Sequence, residues 1–181
     1  MDTKMILGLS TSSFTLLHVL ISLVGTLAGF VTIGAMLFGR WLRDWNALFL
    51  VATIATSVTG FFFHSASFGP PHVIGVLSLV VLSVALSAQY IGHLQGRWRW
   101  IYVSSAVVAL YLNSFIAVVQ AFQKVSFLAA LAPTQSEPPF LAAQLVLMAV
   151  FIVLGYFGVK RFHPPSLAKN LKAALVAGDG R

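Results

Sequence analysis

Gly60-Phe61-Phe62-Phe63-His64-Ser65-Ala66-Ser67-Phe68-Gly69-Pro70-Pro71-His72 is the stretch whose reading decides the fold. It contains no Lys, Arg, Asp or Glu, and apolar sequence continues on both sides of it, from Thr53 to Ser83. Proline lacks the amide proton of a helix interior and its ring clashes with the preceding turn, so no helix runs through Gly69-Pro70-Pro71. One long apolar run therefore becomes two antiparallel spans joined by a tight turn. The turn brings His64 and His72 to the same end of the two spans.

Composition sets the class of the whole chain. Hydrophobic residues are 59% of the 181 and charged residues 8%, with a mean hydropathy of +0.93. A soluble domain carries roughly 25% charged residues, so this chain cannot cover itself with a polar surface. The expected fold is all-α: an integral membrane bundle of five transmembrane helices, spanning residues 14–38, 47–63, 72–92, 100–122 and 140–159 of a single unit, 1–163. The first apolar run exceeds the h-region of a signal peptide, about 7–15 residues, and has no A-x-A exit, so it reads as a retained helix. The second is the shortest, near the lower limit of about 17 residues for a span. Residues 164–181 form a tail in which Leu167, Leu171, Ala174 and Leu175 recur at helical spacing, with Lys169 and Lys172 offset. That pattern suits an interfacial helix capped by Ser166, the alternative being a frayed end at Gly178-Asp179-Gly180.

The net charge of +7 is a matter of topology. With five alternating helices, Arg40, Arg43, Arg97, Arg99, Lys160, Arg161, Lys169, Lys172 and Arg181 fall on one side, and only Lys4 and Lys124 on the other. The positive-inside rule makes the first side cytoplasmic, with the amino terminus outside and the carboxyl terminus in the cytoplasm. Trp41, Trp45, Trp98 and Trp100 flank the same arginines, where an aromatic belt belongs. Nucleic-acid binding is not indicated.

Small and polar residues line up along each helix at 100° per residue. The stripes are His18, Ser22, Gly25, Gly29 and Thr32; Thr53, Ser57, Gly60 and His64; His72, Ser83, Ser87 and Tyr90; and Tyr102, Ser105, Ala109, Asn113, Gln120 and Gln123. Lipid tails reward none of these groups, so the stripes should face one another. Asn113, Gln120 and Gln144 are the candidate polar cluster within the membrane, and would line the path of a carrier for a neutral or lipophilic molecule.

Histidine is the residue type here that most readily holds a cofactor. His18, His64 and His72 share one depth near the outer surface, and neutral imidazole binds transition metals and haem iron. With Glu137 they could hold a metal, or any two on facing helices a b-type haem. His93 lies at the other end of its span, roughly 30 Å from His72 at 1.5 Å per residue. Chain chemistry is otherwise sparse. Cysteine is absent, which excludes disulfides and thiol chemistry. The acids are only Asp2, Asp44, Glu137 and Asp179, and no span holds a charged residue of the kind ion-coupled pumps need. No catalytic constellation is visible, and enzyme activity has no support.

The leading reading is a multi-pass protein of the bacterial inner membrane, a structural or accessory component contacting lipid, copies of itself or another membrane protein. A redox or metal-binding protein and a carrier are the alternatives. Leu131-Ala132-Pro133-Thr134-Gln135-Ser136-Glu137-Pro138-Pro139-Phe140 resembles a segment of small bacterial membrane proteins, which implies no particular activity. The histidine arrangement is loosely similar to that of di-haem four-helix cytochromes, which would imply haem held between facing helices. Those cytochromes place histidine pairs at both leaflets, whereas the inner side here offers His93 with only the tail residue His163 as a mate.

Overall fold

A computed structural model of the chain describes residues 5–63 and 69–164. His64 and the proposed tail helix lie outside the described residues. A small antiparallel hairpin, β1 (Met5–Ile6) and β2 (Leu9–Ser10), leads into α1 (Thr11–Leu37). Then come α2 (Arg43–Gly60), α3 (Pro70–Leu86, continued by a π turn, Ser87–Ile91), α4 (Arg97–Lys124), α5 (Ser126–Leu131) and α6 (Pro138–Arg161). Among the described residues four helices are long and apolar enough to cross a membrane: Thr11–Leu37, His72–Ile91, Arg97–Lys124 and Pro138–Arg161. This is a helical multi-pass membrane protein. The α2 helix is not among the four, because Arg43, Asp44 and Asn46 open it and Thr53, Thr56, Ser57 and Thr59 follow.

Helix ends follow from local chemistry. Ser10 caps α1, its hydroxyl accepting from the Ser13 N–H at 3.2 Å. The first span, expected over residues 14–38, starts earlier, at Thr11, and two short strands pair ahead of it. At the other end of α1, Gly39 N–H donates to Met36 O and Arg40 N–H to Ala35 O, both at 2.9 Å. This is the Schellman pattern, and Gly39 supplies the left-handed residue it requires, with φ of +68°. Between α3 and α4 the turn is tighter still. A side chain at Gly92 would lie 2.2 Å from Cγ of Trp98, so the indole covers the glycine directly.

The core is organised around α4, which contacts α1, α3, α5 and α6. Its buried residues include Tyr102, Val103, Ala106, Val107, Ala109 and Leu110. Close approach of α1 and α2 depends on small residues: a Cβ at Gly25 would sit 3.1 Å from the Ala52 Cβ, and one at Gly29 within 2.9 Å of the Phe49 ring. The Gly25–Gly29 stripe thus faces a helix. The α3 stripe does not. Ser83 and Tyr90 are exposed, and Ala85, Ala88 and half-buried Gln89 turn inward instead. Two causes act together. The Ser83 and Ser87 hydroxyls donate to carbonyls one turn back, of Leu79 and Ser83, and need no partner helix. The π turn also adds a residue to the helical repeat, which rotates the end of α3 relative to a regular count.

The three basic helix ends come together. Arg99 donates to the Phe162 carbonyl at 2.7 Å, Trp41 packs against both Tyr102 and Phe162, and a Cβ at Gly39 would lie 3.5 Å from the Arg161 carbonyl. At the opposite end Phe122, Ala132 and Phe140 form a second, smaller core that closes the loop carrying α5.

Candidate functional site

His18 and His72 both pack on the carboxyl end of α2, and their bonding differs. His18 Nδ1 lies 2.8 Å from the Thr59 hydroxyl oxygen. That hydroxyl is also 2.7 Å from the Ala55 carbonyl. A carbonyl only accepts, so Thr59 spends its single proton there, and the His18 Nδ1–H must donate to Thr59. Neutral His18 then carries its lone pair on Nε2, the nitrogen through which such a ring would bind a metal or haem iron. The ring stands edge-on to Phe63, with centroids 5.1 Å apart, and a Cβ at Gly60 would be only 3.8 Å from its Cε1.

His72 has the reverse arrangement. Its Nδ1 accepts the Gly69 N–H at 3.3 Å, which leaves the neutral ring's proton on Nε2. This bond belongs to the start of α3, where Pro70 and Pro71 have no N–H to satisfy. The tautomer suits a helix cap rather than a ligand. Against Phe61 the His72 ring centroid stands at 5.9 Å.

Glu137 is engaged in its own loop. Its carboxylate accepts from the Thr134 hydroxyl at 2.8 Å and from the Thr134 and Ser136 N–H groups at 3.1 Å each. Desolvation pushes the carboxyl up, but these hydrogen bonds outweigh it and hold Glu137 below its ordinary value. Among the described residues no three His, Cys, Asp or Glu side chains are grouped so as to hold a metal ion. His93 occupies a left-handed turn position, φ 48°, and His163 bonds the Arg161 carbonyl at 3.1 Å.

A buried polar network at the basic end was not anticipated. Asn46 of α2 donates to Gln89 Oε1 at 2.9 Å and accepts from the Tyr102 hydroxyl. Asn46 and Tyr102 are both fully buried, each at 0% exposure. Three helices are thereby joined through one amide, with the α3 π turn presenting Gln89 to it. A signal was present in the sequence: Asn46 lies seven residues before Thr53 and so extends the Thr53–Ser57–Gly60 stripe by two turns. Its position beside Arg43 and Asp44 made it look like loop.

The three candidate amides do not form one lining. Asn113 donates to the Thr53 hydroxyl of α2 at 3.3 Å. Gln144 of α6 donates to the Phe115 carbonyl at 3.4 Å, and its own carbonyl oxygen is buried with no hydrogen-bond partner among the described residues. Gln120 is exposed. Asn113 and Phe115 are two residues apart on a helix, about 200° around it, so α4 directs these contacts to different neighbours.

A concavity lies elsewhere, on the surface between α4 and α6. It is a groove of roughly 550 Å³, lined by Val107, Val108, Tyr111, Phe151 and Tyr156 among others, with Ser104 and Lys160 toward one end.

Comparison with known proteins found no matching family, no similar curated protein and no similar solved structure.

Proposed function

We propose that this chain is a structural or accessory membrane component without catalytic chemistry, crossing the bilayer five times. The observation that carries the reading is how the polar groups inside the apolar helices are used. Asn46 bonds both Gln89 and Tyr102, Asn113 bonds Thr53, and His18 bonds Thr59, each across a helix boundary. Such bonds hold helices together in lipid. They leave the outward faces of α1 and α6 apolar, as at Leu27, Leu145, Val146 and Ile152.

Two arguments support the fifth span. The α2 helix has 18 residues, about 27 Å at 1.5 Å per residue, close to a hydrocarbon core of about 30 Å. Convergence of the Arg40, Arg99 and Arg161 ends also requires α2 to run back along α1. The basic end then faces the cytoplasm, as in a bacterial inner-membrane protein.

A second reading rests on His18 alone: with Nδ1 donating to Thr59, its Nε2 is ready to bind a metal or a b-type haem. One preparation separates the two. The chain, purified from membranes, should show no Soret absorption and no stoichiometric metal, while cross-linkers at Leu27 and Val146 give discrete protein–protein adducts. A Soret band, or one metal per chain lost in His18→Ala, overturns the structural reading in favour of the second.

A further inference from the structure

The groove between α4 and α6 opens outward, where the membrane reading puts lipid, and its two ends differ in chemistry. Its walls are apolar over most of their length: Val107, Val108 and Tyr111 on α4, Phe151 and Ile152 on α6. From Met148 to Lys160, both lining residues, α6 rises about 18 Å at 1.5 Å per residue. A single leaflet is about 15 Å deep, half of a hydrocarbon core of about 30 Å. The groove is therefore about one leaflet long and stops near mid-depth.

At the shallow end the chemistry changes. Lys160 lines the groove, its ammonium 5.7 Å from the centre of the Tyr156 ring. Ser104 lies on the opposite wall. Arg99 and Arg161 belong to the same end of the helix pair: Arg99 donates to the Phe162 carbonyl and Arg161 stands over Phe157 at 5.0 Å. Lys160 is the charged residue of the lining, and no acidic side chain is among the described lining residues; Asp44 opens α2 at the same end of the bundle but does not line the groove. A basic pocket between membrane helices at headgroup depth is the usual form of an anionic-lipid site. Lysine reaches such depth by extending its ammonium along an apolar stem. The volume, roughly 550 Å³, falls within the range of about 300–1,000 Å³ typical of small-molecule sites.

We propose that the α4–α6 groove is a binding site for one anionic phospholipid, an acyl chain lying along Val108, Tyr111 and Phe151 and the phosphate meeting Lys160. The site rests on the reading that the helices span a bilayer, and makes the protein selective for acidic over zwitterionic lipid at one position on its surface. Selectivity comes from Lys160; the walls provide the length.

The test uses the full chain in bilayer discs containing equal phosphatidylglycerol and phosphatidylcholine, followed by gentle extraction and mass measurement of the lipids retained. Wild type should keep one phosphatidylglycerol in preference to phosphatidylcholine. Lys160→Gln should lower that preference about fivefold, the effect of one cation at a membrane surface. Val108→Trp, which fills the groove from an exposed position, should lower retention of both lipids. Arg40→Gln, a cation that does not line the groove, should change nothing. Equal retention of the two lipids by wild type, or an equal loss in Arg40→Gln, overturns the proposal. So does a photo-cross-linker at Ile152 that labels a second copy or another protein instead of lipid. Failure of the chain to stay in the discs would count against the membrane reading; a disc-bound chain without lipid preference counts only against the site.

Discussion

Asn46 and Tyr102 allow the network at the basic end to be weighed in energy. Asn46→Ala removes both its bonds and leaves the Tyr102 hydroxyl, at 0% exposure, with no acceptor. An orphaned buried group costs about 1–3 kcal/mol. Cross-helix bonds in membranes average only about 0.6 kcal/mol, with a maximum of about 1.7, because the separated helices find other partners. Half-buried Gln89 is able to recover a partner, but Tyr102 is enclosed by Trp41 and the α4 core. The orphan cost therefore dominates, and Asn46→Ala should destabilise by about 2–4 kcal/mol once the small cavity is included. Tyr102→Phe keeps the ring and leaves the Asn46–Gln89 bond in place but orphans the buried Asn46 Oδ1, so about 1–3 kcal/mol is expected. The double variant should be less destabilised than the sum, by about 0.6–1.7 kcal/mol. Reversible unfolding in bicelles, followed by Trp fluorescence, gives all four stabilities of the cycle. Additivity within about 0.5 kcal/mol, the behaviour of independent sites, would refute the claim that one amide couples these helices.

Two further predictions follow from the helix contacts and from the α6 loop. Gly29→Ala should destabilise by about 1–3 kcal/mol, because its methyl would fall within 2.9 Å of the buried Phe49 ring, while Gly34→Ala, with nothing within 4 Å, should be neutral or slightly stabilising in the same unfolding assay. For Glu137 the folded carboxyl titrates below its ordinary value of 4.5. Its hydrogen bonds therefore add stability above that pH, and the contribution disappears as pH falls through the lower, folded value. Hydrogen exchange at Thr134 and Ser136 should accelerate below pH 4.5 in wild type, beyond the intrinsic rate change, whereas Glu137→Gln should show no such step.

Membrane residence, the breaks between helices and the gathering of basic ends were all decided by local sequence. Runs without charge, the Pro70-Pro71 block and the spacing of Arg40, Arg97 and Lys160 carry that information without reference to any neighbour. Glycine spacing in α1 was equally readable, since Gly25 and Gly29 recur one turn apart and only small residues let two backbones approach. What the tertiary structure decided is which partner each polar group finds. Nothing in the chain near Asn46 says that Gln89 and Tyr102, 43 and 56 residues away, will meet it. At the end of α3 a π turn shifts Gln89 and Tyr90, and a count at 100° per residue cannot see an inserted residue. Histidine identity marked His18 and His72 as equals, yet Thr59 and Gly69 set opposite tautomers on them. The α4–α6 groove is a gap between two helices, and a gap has no sequence of its own. Helix formation in lipid is a local matter, settled residue by residue by hydropathy and backbone hydrogen bonding; helix pairing depends on shape and on distant donors and acceptors, which only the assembled bundle brings together.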